Sequence, residues 1–302
     1  MPDDADTGSD SGDAPPDSMV APPPTPCVQK WLDGTMTFTN SATLKAANGS
    51  LFTFAQERDP FLSSDELTLF FARQSASNDA DVFSTSRETL DGNFATPSAN
   101  MSLSDTQQDD SKIGMTGDDL TVIVASNRAG GAGGADLWQS TRASANAAFP
   151  TLDQSFLANV NTAEDQLDPH LSRDGRRLYF ANGSPQQLML AERTDATIPF
   201  DTPIAIQNIG DPSGDADPTL TGDERVIIFA SNRGGAEGGS NLWYATRAER
   251  DQPFGTPIAI SEVNTSDNDS DPFITADGCH LYFASTQAVG GDDFDLFFTT
   301  LE

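Results

Sequence analysis

Cysteine and histidine are nearly missing from this chain of 302 residues, which has two of each. So few soft ligands exclude a zinc cluster or a haem attachment built from them. Positive charge is scarce as well: Lys and Arg number 16 against 46 Asp and Glu, a formal net charge of −30 at pH 7. Nucleic acids and anionic membrane surfaces are bound through basic patches, so neither is expected as the main partner. Long apolar runs are lacking. The longest strand-like ones resemble Val226 to Ala230, far short of the ~18–20 residues that span a bilayer, so no transmembrane segment is expected. There is no Gly-x-Ser-x-Gly elbow, and neither Gly130-Gly131 nor Gly290-Gly291 leads into the Gly-Lys-Ser/Thr of a phosphate loop.

Asp, Pro and Gly, by contrast, are plentiful. Residues 1–26 hold six Asp and seven Pro, with no Lys, Arg or aromatic residue. Such a segment buries too little apolar surface to offset chain entropy. Residues 1–30 therefore read as a disordered acidic, Pro-rich tail, and 31–302 as one folded domain. The rest of the chain stays strongly acidic without the tail, which solubility or life at high salt explains without an acid-seeking partner. No basic start followed by an apolar stretch marks a signal peptide. Either the protein is cytoplasmic, or an export signal or anchor has been removed and the tail is a tether. The tether reading is the one adopted, with a periplasmic, cell-surface or secreted location.

A repeat organises everything after the tail. Asp168-Pro-His-Leu-Ser-Arg-Asp-Gly-Arg-Arg-Leu-Tyr-Phe-Ala181 returns as Asp217 to Ala230, as Asp271 to Ala284, as Asp59 to Ala72, and more weakly as Lys112 to Ala125. The interval is about 50 residues, the length of one propeller blade. Each copy offers a short strand ending in Leu-Ser or its equivalent, an Asp-Gly, Asp-Glu or Asp-Asp turn, and an aromatic and β-branched strand. A loop follows, Gly-rich in several copies. Then come an Asp-Leu-Trp-like strand (Asp136 to Trp138, Asn241 to Trp243, Asp295 to Phe297) and an outer strand opening on Phe94, Phe149, Phe200 or Phe254. Pro is expected at the first residues of the inner and outer strands, where no ladder donor is lost.

The final copy stops at Glu302 without its outer strand, and Phe38 to Asn48 aligns without gaps on Phe254 to Asn264. The expectation is therefore an all-β fold: a five-bladed β-propeller of four-stranded antiparallel blades, the last closed by an N-terminal strand. Closure removes the open ends an array would leave. Strand direction then places the second and fourth strands of blade five at one end. Cys279 begins the second and Cys27 lies about ten residues before the fourth, so a Cys27–Cys279 disulfide is expected to lock the ring.

The repeats resemble the WD40-like propeller repeats of the TolB type, whose signature is Asp-Pro, Ser-x-Asp-Gly and Leu-Tyr-Phe-Ala-Ser. The stretch Ser231 to Trp243, echoed at Ser126 to Trp138, is similar to the form found in bacterial envelope proteins. The resemblance covers residues 38–302. It departs at Lys112-Ile113, which replaces Asp-Pro, and in the third blade, where the Gly-rich loop is lost. It implies a propeller with binding or scaffolding roles, often in the envelope, and no reaction.

Candidate sites follow from repeat position. Ser172, Asp174, Thr275 and Asp277 look like catalytic residues, but they recur in every blade, whereas an active site is needed once, so they are expected to bond turn amides. Arg128 and Arg233 are expected to pair structurally across their loops with Asp136 and Asn241. Trp138, Trp243 and Phe297 are expected in the core. His170 and His280 occupy different repeat positions and fit no metal spacing. Asp267, Asp269 and Asp271 have the alternating carboxylates that suit calcium, although Pro272 and Gly278 rule out an EF-hand. Asp59, Asp168, Asp217 and Asp271, with Lys112 in the fifth place, are expected to ring the central channel. There they would hold a cation or water, or cap backbone amides. The function expected is a non-catalytic module binding a protein or glycan ligand, as a monomer. The alternative is a glycan-active hydrolase using channel carboxylates.

Overall fold

The computed structural model describes residues 23–39, 41–44, 56–74, 79–105, 107–236, 238–287 and 293–302. The tail before residue 23, the aligned stretch 45–48 and Gly290-Gly291 lie outside the described residues. Five antiparallel sheets follow one another along the chain. Blade one comprises β2 (Glu57–Leu62), β3 (Thr68–Gln74), β4 (Ala80–Ser86) and β5 (Ser98–Ala99); blade two β6 (Asp110–Met115), β7 (Thr121–Ser126) and β8 (Asp136–Thr141). Blade three has β9 (Gln166–Leu171), β10 (Arg177–Asn182), β11 (Gln187–Glu192) and β12 (Ile204–Ala205); blade four has β13 (Asp215–Leu220), β14 (Val226–Ser231), β15 (Asn241–Thr246) and β16 (Ile258–Ala259). Blade five has β17 (Asp269–Ile274), β18 (His280–Ser285) and β19 (Asp295–Thr300), and its outer strand is β1 (Ala42–Thr43). The five-bladed propeller and its N-terminal closure are as the repeat predicts.

Two details differ from expectation. Blade two has three strands. Its fourth is reduced to a single bridge, Gln139 to Asp153, because the Asp153 carboxylate accepts from Ser155 N and Oγ at 2.8 and 2.6 Å and turns the chain away. In addition, the inner-strand prolines stand in mid-strand. Each inner strand slips register there, around Asp-Pro in four blades, as between Ala216 and Thr219, and around Lys112 in blade two. The Pro then sits in a bulge, where its missing N–H is not needed, and Asp59, Asp168, Asp217 and Asp271 take left-handed φ values of 51–56°.

The hairpin turns behave as expected and do more besides. In all five blades the first turn Asp accepts from the Ser or Thr two residues earlier, at 2.6–2.7 Å. The next residue is left-handed throughout: Glu66, Asp119, Gly175, Glu224 and Gly278. Where it is not Gly, its side chain reaches back to the preceding blade. Asp119 accepts from Ser64 N and Oγ, Glu224 accepts from Tyr179 Oη at 2.6 Å, and Glu66 faces His280 Nδ1 at 3.3 Å. The neighbouring Glu66 carboxylate raises the His280 pKa against the effect of burial.

A cation clamp repeats alongside. Arg87, Arg142, Arg193 and Arg247 each donate Nε to the carbonyl of their blade's left-handed turn residue, at 2.6–3.0 Å. Each guanidinium also lies 4.1–4.7 Å from the ring centre of the outer-strand Phe. Blade five has Leu301 at this position. Its turn carbonyl, Gly278 O, accepts instead from Trp31 Nε1 at 3.0 Å, and Trp31 packs edge-on to Phe38 at 5.6 Å. Trp31 belongs to α1 (Pro26–Asp33), capped by the Thr25 side chain and by left-handed Gly34. The helix spans the division between residues 30 and 31, and Cys27 within it is bonded to Cys279, Cα to Cα 5.2 Å.

The clamp carries a prediction. Arg247→Ala removes a charge-assisted bond to a buried carbonyl and a stacked cation, and it weakens the compensation of Glu224, whose Oε2 lies 3.8 Å from Arg247. Urea unfolding should show a loss of about 3 kcal/mol, with Arg247→Lys intermediate because it keeps charge without the planar fork. A loss below about 0.5 kcal/mol for the alanine variant, the range of ordinary surface changes, would mean the clamp contributes nothing.

Candidate functional site

The five inner strands run in one direction around the channel, so equal repeat positions form rings. The first position is polar and fully buried in every blade: Glu57, Asp110, Gln166, Asp215 and Asp269. Arg128 and Arg233 pair here, with Asp110 and Asp215 at 2.5 Å, not with Asp136 and Asn241 across the loop mouths. The structural role holds, but the partner differs, because each arginine folds back over Trp138 or Trp243 and meets the start of the inner strand. Both tryptophans and Phe297 are buried, as expected.

Asp269 is the blade-five member of the same buried row. It accepts from Thr265 N at 2.6 Å and from Ser285 Oγ at 2.6 Å. Asp267 is exposed in the loop before it. Asp271, two residues on, lies past the bulge and accepts from Arg58 Nε at 2.9 Å in the channel. Asp267, Asp269 and Asp271 therefore do not converge, and among the described residues they form no calcium cluster. The bulge is the reason, since it breaks the alternation on which the calcium expectation rests.

The third position holds Asp59, Lys112, Asp168, Asp217 and Asp271. Asp59, Asp168 and Asp217 each bring one carboxylate oxygen within 4.8 Å of the others. Lys112 Nζ, buried, stands 3.5 Å from Asp217 Oδ1. The carboxylates also cap amides of the next blade: Asp168 accepts from Asp217 N at 3.3 Å, and Asp217 from Asp271 N at 3.4 Å. Like charges this close repel by about 3 kcal/mol per pair at an effective dielectric of 20. Burial, followed by Asp271, pushes the Asp59 carboxyl up to about 8. Burial and Asp217 push Asp168 well above the carboxylate range, and burial with Asp271 raises Asp217. Burial works against ionised Asp271 too, but Arg58 beside it holds its pKa below the usual value. Burial likewise opposes the Lys112 ammonium, yet Asp217 and Asp168 keep it protonated.

The ring stands between two mouths. On the strand-start side an open cavity of about 450 Å³ is lined by Arg58, Asp59, Asp168, Gln186, Asp217 and Asp271. On the turn side a cavity of about 270 Å³ has Phe61, His170 and Phe273 among its lining, with the hairpin turns as its rim. Phe61 and Phe273 meet edge-on at 4.9 Å. Burial, with Lys112 nearby, lowers the His170 pKa to about 3, so the imidazole is neutral. Four acids line this cavity and each has a partner: Glu66 with His280, Asp119 with Ser64, Asp277 with Thr275, and Glu224 with Tyr179 and Arg250.

Fold and channel together define an all-β, five-bladed propeller with a charged waist. No protein-family model matches the chain, and no curated protein matches it at a significant level. Solved structures match its fold along most of its length. A thermostable family-43 glycoside hydrolase is similar at a TM-score of 0.56 and 11% identity, over 84% of this chain and 95% of that one. The α-L-arabinofuranosidase PaAbf62A from Podospora anserina, solved with cellotriose, matches at 0.57 and 11%, over 88% and 96%. A TolB from Agrobacterium tumefaciens matches at 0.51 and 14%, over 85% and 82%. At such identities the likeness is one of fold alone. Among the described residues, no helix is long and apolar enough to cross a membrane.

Proposed function

We propose that this protein is a non-catalytic binding module acting outside the cytoplasm, in the envelope or beyond it, with the turn-side mouth as the seat of a protein or glycan ligand. The observation that carries the reading is the commitment of the carboxylates around the channel. A glycoside hydrolase needs two carboxyl groups facing one sugar, with space for the ring and the attacking water. The acids lining the turn-side mouth are engaged by turns and neighbouring blades. Asp59, Asp168 and Asp217 crowd within 4.8 Å, which leaves no place for a sugar between them. The turn-side cavity has the composition of a ligand site, an aromatic floor under a polar rim. The Cys27–Cys279 bond supports an oxidising compartment.

Two assays test the proposal. The full chain should release no reducing sugar from arabinan, xylan or aryl glycosides, and turnover that depends on Asp59 or Asp168 would replace it with the hydrolase alternative. Binding to an envelope fraction or a glycan array should fall at least tenfold in Ala276→Arg, which places a long side chain at the exposed rim without touching the core. Binding that ignores this variant would move the ligand site elsewhere.

A further inference from the structure

We infer that the channel waist is a binding site for one divalent cation, with Asp59, Asp168 and Asp217 as its carboxylate ligands. The inference is independent of the binding role proposed above. It begins with convergence: three blades supply the same repeat position, and one oxygen from each lies within 4.8 Å of the other two. Carboxylates collect in many places without an ion, so convergence alone decides nothing.

The second observation is Asp59 itself. Its neighbours in the ring are bonded: Asp168 accepts from Asp217 N, Asp217 from Asp271 N and Lys112, and Asp271 from Arg58 and Ser270. Asp59 is only 9% exposed and points into the cluster; Lys112 and Arg58 act on it at longer range, but among the described residues no hydrogen-bond donor reaches its carboxylate. A buried carboxylate left so is costly unless a cation or donor meets it. Charge points the same way. The waist carries four carboxylates against Lys112 and Arg58, and Arg58 is turned toward Asp271. Arg58 and Lys112 answer Asp271 and Asp217; with Asp59 and Asp168 ionised, the two charges left around the three converging oxygens are the number a divalent ion supplies.

Ligand chemistry narrows the ion. The donors are all carboxylate oxygens, with no sulfur or imidazole among them, which suits Ca²⁺, Mg²⁺ or Mn²⁺ over zinc or copper. The 450 Å³ mouth beside the ring gives room for the waters that complete such a coordination shell. A bound ion would join blades one, three and four across the channel, where no backbone ladder connects them.

The test uses the full chain, stripped with EDTA and dialysed into metal-free buffer, with Ca²⁺, Mg²⁺ and Mn²⁺ added singly. Calorimetry should find one high-affinity ion per chain for at least one of them, and that ion should raise the melting temperature by several degrees. Asp59→Asn should weaken the affinity at least tenfold. Asn adopts the left-handed conformation readily, so the bulge is kept. In EDTA the same variant should melt above the parent chain, because folding no longer buries a carboxyl that is ionised in the unfolded chain, and with saturating metal it should melt below it. A purely structural ring would not show this reversal. Asp168→Asn reads the same site if Asp59→Asn folds poorly. Asp267→Asn, an exposed acid outside the channel, should bind like the parent chain. The inference is overturned if none of the three ions binds or shifts melting, if Asp59→Asn and Asp168→Asn bind unchanged, or if Asp267→Asn weakens binding equally.

Discussion

Deletion of residues 1–48 should abolish cooperative unfolding near the melting temperature of the intact chain and leave a protein that self-associates. The cut removes α1 and β1 and with them Val28, Trp31 and Leu44, all at least 97% buried. Burying such side chains is worth about 1.5–3 kcal/mol each. The disulfide partner Cys27 is lost as well, along with the Trp31 bond that replaces the arginine clamp in blade five. Together these losses rival the 5–15 kcal/mol that typically separates native from unfolded chains. The cut also bares β19 along its outer edge. At present Ala42 and Thr43 pair with it, Thr39 N donates to Thr300 O, and Glu302 N donates to Thr37 O. An exposed strand edge beside uncovered Phe297 and Leu301 is a template for pairing with other chains. Deleting residues 1–22 alone should leave melting unchanged, because α1 and its Thr25 cap remain. Calorimetry with light scattering reads both cuts. A chain starting at residue 49 that melts within a few degrees of the parent would show that the N-terminal closure contributes little.

The closure was legible because it is written as alignment: a missing outer strand at one end and a spare one at the other. The convergence of Asp59, Asp168 and Asp217 has a similar source, since side chains at one repeat position must share one circle. Their bulge was harder to foresee. Asp-Pro reads equally as a strand start or a turn, and only the pairing of Ala216 and Thr219 with β14 shows the extra residues. The same bulge undid the calcium expectation, because period-2 spacing keeps Asp269 and Asp271 on one face only in an unbroken strand. The arginine clamps recur in sequence, always just after the third strand, yet their partner is a backbone carbonyl, which carries no residue signature. The helix was missed although its signals were present. Thr25 before Pro26 marks a capped start, Val28 and Trp31 share a face, and Gly34 marks the stop. Eight residues that belong to no repeat are easily folded into a tail. Blade two lost its fourth strand to one side chain, Asp153, whose turn-forming bond outweighs a strand position that sequence spacing would have granted.

Removing the disulfide should produce the second largest effect. Cys27 lies in the first turn of α1 and Cys279 directly follows the left-handed Gly278 of the blade-five hairpin, so the bond holds the helix on the turn whose carbonyl Trp31 caps. It spans 252 residues of sequence, and in the chain-entropy model closing so long a loop is worth about 5 kcal/mol. For a chain of this size each kcal/mol moves melting by about 2–4 °C. The double variant Cys27→Ser/Cys279→Ser should therefore melt about 10 °C lower, and the parent chain should fall by the same amount when reduced. Adding reductant to the double variant should change nothing. Trp31→Ala separates the bond from the packing it guards: the disulfide still forms, but the indole's burial and its bond to Gly278 O are lost. If loss of the bond destabilises only by freeing α1, the three substitutions combined should cost less than the separate losses added, because the helix can detach once. If the bond acts on the unfolded chain, the losses should add. Alkylation without reductant, read by mass spectrometry, gives the independent check. Two protected cysteines are expected in the native protein. Two alkylated ones, with melting indifferent to reductant, would mean that strand pairing alone closes the ring and would remove the main support for an extracytoplasmic location.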